Sequence, residues 1–196
     1  TALAVPYGAQ PAWFDYGKLP SDLQITSDIF AELLVLHPDD YGKVKMFGKI
    51  MDTARYQANY GAAYYYTGIL HPAAPYPHPY LEKLIQWVRT HSGKNYTQMI
   101  VNWYMNGDHY ISQHSDSTKG LVPHSDIYSF SFGATRSFII HSRTDRGSYS
   151  QSTHKLTLHN NDVVIMGGSM QTYYKHEVPK QREAGPRINV TCRLMA

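Results

Sequence analysis

The chain has 196 residues and a mass of 22.3 kDa; it is 42% hydrophobic and 17% charged, with a formal net charge of +3 and one cysteine. That length fits one domain with a real core, and the composition excludes a disordered chain, a disulfide framework and a multi-cysteine zinc site. No apolar run approaches the roughly 18 residues that span a bilayer, and the mild charge permits a nucleic-acid partner without demanding one. A soluble, intracellular, monomeric protein with no membrane contact is therefore expected. Residues 1–20 hold three of the 11 prolines and two glycines, which predicts an irregular arm. From Asp28 the run Ile-Phe-Ala-Glu-Leu-Leu-Val-Leu predicts a short helix, with Asp28 as N-cap and an end before Pro38. Residues 41–70 are rich in tyrosine and glycine, with strand-like pieces such as Val44 to Phe47. The stretch His71 to Pro79 carries four prolines and reads as a rigid connector. Leu81, Leu84, Ile85 and Val88 then recur at helical spacing, and Gly93 closes that helix.

Beyond Gly93 the period changes to that of strands. They are predicted at 97–105, 109–114, 127–133, 136–141, 154–158, 162–167, 171–177 and 187–195, separated by turn signals such as Asn106-Gly107. About eight short strands after a helical first third predict a mainly β fold with flanking helices, a sandwich or jelly roll with helices on one face. No linker divides the chain, so residues 1–196 are read as a single domain.

The 17 tyrosines and 11 histidines are the unusual entries in the composition. His114-Ser-Asp116 ends a predicted strand, where residues two apart share a face and can reach one ion. His176, on the distant strand 171–177, is a candidate third ligand. Two histidines and one carboxylate on one side of a metal leave positions open for a bidentate co-substrate and oxygen. The same spelling recurs at His124-Ser-Asp126, so spacing alone leaves two candidates. Arg187-Ile-Asn-Val-Thr-Cys-Arg193, read as a strand, puts Arg187, Asn189, Thr191 and Arg193 on one face. Turned inward, two arginines need anions to meet them, and a dicarboxylic acid suits guanidinium forks. The alternative is an edge strand with a solvated polar face. Asn102 and Tyr104 share another face, just upstream of His114.

In this order the parts resemble the AlkB family: Asn102-x-Tyr104-x-x-Gly107, Ile111-x-x-His114-x-Asp116, Ser129-x-Ser131-x-Gly133, Asp162-Val-Val, His176, and Arg187-x-Asn189-x-Thr191-x-Arg193. The resemblance covers roughly residues 44 to 195. It implies a double-stranded β-helix (jelly roll) and an Fe(II)- and 2-oxoglutarate-dependent dioxygenase that demethylates nucleic-acid bases with O2. It implies Fe(II) on His114, Asp116 and His176, with His124 left as a loop histidine. Arg187 would grip the distal carboxylate of 2-oxoglutarate with Tyr104 and Asn189, while Asn102 and Arg193 serve the metal-proximal end. Residues 41–80 become a nucleotide-recognition lid between the arm and helix of 1–40 and the helix plus jelly roll of 81–196. A target base in DNA or RNA must be flipped or single-stranded to reach a buried iron. By the resemblance, Tyr66 stacks on it within Tyr64-Tyr65-Tyr66-Thr67-Gly68, with Tyr64 as support, and Phe47 of Met46-Phe47-Gly48 wedges into the stack. Arg55 would meet a phosphate. One departure stands out: several members carry a carboxylate two residues after the metal-binding aspartate, where this chain has Thr118. The alternative function is a hydroxylase of the same core that acts on a protein or small molecule and has no use for Phe47 or a stacking tyrosine.

Overall fold

The computed structural model describes residues 1–66, 68–143 and 152–196. Two antiparallel sheets face each other, as the strand count predicts. The larger has seven strands, in the order β1 (Ala2–Leu3), β2 (Ala12–Lys18), β13 (Asp162–Gly168), β10 (Ile127–Gly133), β15 (Arg187–Arg193), β8 (Gln98–Tyr104) and β5 (Tyr56–Gly61). The smaller has four: β12 (Ser152–Leu158), β11 (Arg136–Ser142), β14 (Tyr174–Val178) and β9 (Ile111–His114). Two separate hairpins stand beside them, β3 (Lys43–Met46) with β4 (Lys49–Asp52) and β6 (Tyr64–Tyr66) with β7 (Ile69–His71).

Period-2 alternation on the central strands sorts side chains into two layers. Outward-facing Val101, Trp103, Phe130, Phe132, Ile188 and Val190 pack against α1 (Ser27–Leu34) and α2 (Pro79–Ser92). The apolar stripe of α2 (Leu81, Leu84, Ile85 and Val88) is at most 1% exposed, each side chain contributing about 1.5–3 kcal/mol by burial. Gly93 ends that helix in the left-handed region at φ 67°, where a side chain would be strained. Between the sheets, Phe138, Ile140, Val164, Met166, Tyr174 and Val178 form a second apolar layer. Polar side chains of β8, β10 and β15 interrupt this layer, and there the site forms.

Three sequence expectations are corrected. The cap of α1 is Thr26, whose hydroxyl accepts from the Ile29 amide at 3.3 Å; Asp28 lies inside the first turn, where its charge favours the helix dipole. Part of the supposed arm is strand β2, paired with β13 from Lys18↔Asp162 to Ala12↔Gly168. Buried Ala12 and Phe14 and the Lys18–Asp162 ion pair at 2.7 Å hold it there despite its flanking prolines. Finally, the predicted strand at 171–177 begins as a helical turn, α3 (Met170–Tyr173), before β14 takes over.

Candidate metal centre and co-substrate pocket

The smaller sheet brings the two histidines together. β14 pairs with β9 so that His176 lies opposite His114, with ring centroids 4.4 Å apart. Asp116 follows two residues beyond the end of β9. Its Oδ1 stands 3.6 Å from His114 Nε2 and 3.9 Å from His176 Nε2, and one ligand atom from each of the three lies within 4.8 Å of the others.

The protonation states suit a cation. The Nδ1 of His114 lies 2.9 Å from the Ser112 carbonyl; donating there leaves the Nε2 lone pair facing the cluster. Burial, then the neighbouring His114, push His176 down to about 3, so its imidazole is neutral at physiological pH. Phe138 stacks on its ring at 5.3 Å. Burial acts to raise the Asp116 carboxyl, but Arg193 at 3.1 Å and the two histidines outweigh it and hold the group ionised. Two imidazole nitrogens and one carboxylate form the donor set for Fe(II) with open positions. His124-Ser-Asp126 does not take part. His124 sits in an exposed loop at φ 57°, and the Asp126 carbonyl accepts from the Tyr96 hydroxyl at 2.7 Å.

β15 supplies the pocket wall. It runs between β10 and β8, and all seven of its residues are buried, which eliminates the edge-strand alternative. Arg187 is 1% exposed, lies 5.0 Å from the centre of the Tyr104 ring and donates from Nη2 to Ser131 Oγ at 2.9 Å. Its Nε and Nη1 are buried without a hydrogen-bond partner. A buried guanidinium left this way is costly unless an anion completes it, and donors remain on both of its carboxylate-binding edges. Arg193, at the other end of the strand, pairs with Asp116 beside the metal site.

Asn102, Tyr104, Asn189 and Thr191 line the same pocket as the triad and both arginines. Asn189 is fully hydrogen-bonded within the protein. Its Nδ2 donates to Ser129 Oγ and the Phe130 carbonyl, while its Oδ1 accepts from Asn102 Nδ2 and Thr191 Oγ1. An amide has four such bonds to make, and here the protein makes all four. Asn189 is thereby fixed in the pocket wall, which it lines beside Arg187 and Tyr104. Asn102 keeps one N–H uncommitted.

Arg55 lies at the edge of the pocket. It is 5% exposed, donates from Nε to Asn102 Oδ1 at 2.9 Å and lies at the junction of this pocket with the groove under the β3–β4 hairpin. It lines both. Tyr64 is 1% exposed; its ring packs 5.1 Å from the Arg193 guanidinium and its hydroxyl donates to the Ser117 carbonyl, a supporting position behind the metal loop. Lys119 sits 4.2 Å over the ring of Tyr65, tying that loop to β6. Phe47 is 96% exposed at the tip of the β3–β4 hairpin. Tyr66 closes β6, but its side chain and the whole of Thr67 lie outside the described residues. Sequence reasoning passed over Phe138, whose alternation with Ile140 on β11 marks it as inward-facing but carries no sign of the histidine it covers.

Residues 36–193 match the model of the 2OG-Fe(II) oxygenase superfamily. The DNA oxidative demethylase ALKBH2 of Mus musculus is 34% identical over 158 residues, covering 77% of this chain and 66% of that protein. The Homo sapiens ALKBH2 is 30% identical over 188 residues, covering 91% and 70% respectively, so the chain spans about two thirds of the length of these relatives. The solved structure of OsALKBH1 superposes with a TM-score of 0.54 at 18% identity over 92% of this chain and 97% of that one, a likeness of fold. With a matching family model over most of its length and a two-histidine, one-carboxylate centre beside a buried arginine, this chain belongs to the 2OG-Fe(II) oxygenases and, among them, to the AlkB-like dioxygenases.

Proposed function

We propose that the protein removes methyl groups from N-alkylated bases in DNA by oxidation, using Fe(II), 2-oxoglutarate and O2. The observation that carries this reading is the buried Arg187 with two vacant donors, placed in one pocket with the His114–Asp116–His176 cluster. When bound, iron and 2-oxoglutarate supply an oxidant that hydroxylates an N-methyl C–H bond as the co-substrate is split to succinate and carbon dioxide. The hydroxymethyl product on the base then breaks its C–N bond, releasing formaldehyde and leaving the N–H.

The chain's own residues bind and orient. Arg187 holds the distal carboxylate of 2-oxoglutarate in a charge-assisted fork over Tyr104. Asn102 directs its free N–H toward the metal end, where Arg193 also keeps Asp116 ionised and aimed. Flanking apolar side chains such as Phe138 and Met166 exclude water and strengthen each of these contacts.

The β3–β4 hairpin supports a base-flipping substrate. Phe47 and Gly48 both occupy the left-handed region, at φ 50° and 76°. A two-residue turn of this kind favours Asn-Gly, and a phenyl ring at its first position costs about 1–2 kcal/mol. The turn presents an apolar wedge to solvent between Lys45 and Lys49, whose charges suit a phosphate backbone. Tyr66 stacks on the flipped base, and the protein acts as a monomer.

The test is formaldehyde release from single- and double-stranded DNA and RNA carrying different N-methylated bases. Turnover on methylated DNA is expected. No product from any methylated nucleic acid, with 2-oxoglutarate still consumed on a protein or small molecule, would overturn the substrate and leave the oxygenase.

A further inference from the structure

The three metal ligands are not held alike. His114 and His176 sit on paired strands, so the ladder between β9 and β14 fixes their backbones. Asp116 sits in residues 115–118, which belong to neither strand nor helix, and no ladder fixes its peptide. Its amide N–H donates instead to a side chain, Gln171 Oε1, at 2.8 Å. Gln171 lies on α3, the single turn leading into the strand that carries His176. The other half of its carboxamide donates from Nε2 to Met166 Sδ at 3.6 Å, which keeps the oxygen turned toward Asp116. Ser115 ties the same two segments again, through its hydroxyl and the Tyr174 carbonyl at 2.7 Å. Asp116 is therefore gripped at its carboxylate by Arg193 and at its peptide by Gln171.

We propose that Gln171 is a positioning residue of the metal centre, a side-chain clamp that replaces the missing ladder under Asp116 and holds its carboxylate within reach of both histidines. The proposal rests on the oxygenase reading of the site. A partner that orients a ligand without touching the metal commonly changes metal affinity by 10–100-fold when removed, because the ligand must then be ordered by the ion itself.

Mn(II), which binds such a donor set without starting oxidation, is the probe. Titrated into the full chain with 2-oxoglutarate and without oxygen, it should bind Gln171→Leu about 10–100-fold more weakly than the wild type. Hydrogen exchange at the Asp116 amide should accelerate in the same variant, while circular dichroism and melting temperature stay close to wild type. Gln171→Glu, which keeps an acceptor oxygen at the same reach, should restore both affinity and protection. Thr172→Ala, at the exposed neighbour, should change neither. Gln171→Asn, whose shorter chain withdraws the oxygen, carries the same expectation should the leucine variant not fold. A folded Gln171→Leu or Gln171→Asn with wild-type Mn(II) affinity and wild-type protection at Asp116 would overturn the clamp alone. A wild-type chain that binds no Mn(II) would overturn the metal site, and the clamp with it.

Discussion

On β15 seven consecutive residues are buried, two of them arginines; on β4 four consecutive residues are exposed, among them Ile50 and Met51. Each segment places side chains where transfer free energy opposes them, and the remedies differ. The arginines are tolerated because strands on both sides hold them rigidly against Ser131, Tyr104 and Asp116, ready for anions that neutralise them. The two strands of the hairpin pair with each other, Lys43 is tied to Asp52 across it, and Ile50 and Met51 stay exposed. On the proposed function, chemistry would belong to the rigid sheet and substrate choice to the projecting hairpin.

Substitutions in the two regions should therefore separate cleanly. The largest effect is expected at the metal centre: Asp116→Ala should abolish metal binding and turnover, whereas Asp126→Ala should leave Mn(II) titrations unchanged. Equal loss in both would place the centre at the wrong His-Ser-Asp. Next, Arg187→Lys replaces a planar fork with a single ammonium. It should raise the 2-oxoglutarate concentration needed for half-maximal turnover about tenfold or more, with metal affinity preserved. A third substitution moves to the hairpin. Phe47→Asn should lower activity on duplex DNA about tenfold while sparing single strands and metal affinity. Because asparagine relieves the left-handed strain, the same variant should melt no lower than wild type. A variant that loses activity and stability together would make Phe47 part of the core, not the recognition surface.

The smallest effect should fall outside both regions, on the strap formed by β2. Burial acts to raise the Asp162 carboxyl, but Lys18, the His159 amide and Tyr16 outweigh it and hold the group below its usual range. A carboxylate with a depressed folded value stabilises the protein above its unfolded value near 3.8, and that contribution is lost as pH falls through the folded value. Asp162→Asn should cost about 1 kcal/mol at pH 7, lowering the melting temperature by about 2–4 °C. The gap between variant and wild type should close below about pH 4.

What the sequence made legible follows the same division. Alternation on Arg187–Arg193 and helical spacing on Leu81–Val88 are local patterns, and both elements formed as read. The irregular arm was misread because Ala12 and Phe14 are the only deeply buried residues of β2; its place depends on Asp162, far along the chain. Arg55 and Asn189 make hydrogen bonds that their place in the sequence does not show. Their residue types suggested contacts with ligands, yet partners distant in sequence (Asn102 for one, Ser129 and Phe130 for the other) had already engaged them. Spacing left two His-Ser-Asp segments open and the family resemblance chose the first; the pairing of His176 with His114 supplies the physical reason.

Cys192 lies on β15 next to Arg193 but points the opposite way, into the layer under the helices, with no exposed surface. Burial pushes its thiol up to about 12, so almost none is present as the nucleophilic thiolate at neutral pH. The chain thus keeps its lone thiol both protonated and behind a wall of sheet. The same arrangement makes that sulfur a native reporter: a thiol-specific reagent reaches it only when the central sheet separates, and its rate of labelling is a clock for opening of the core.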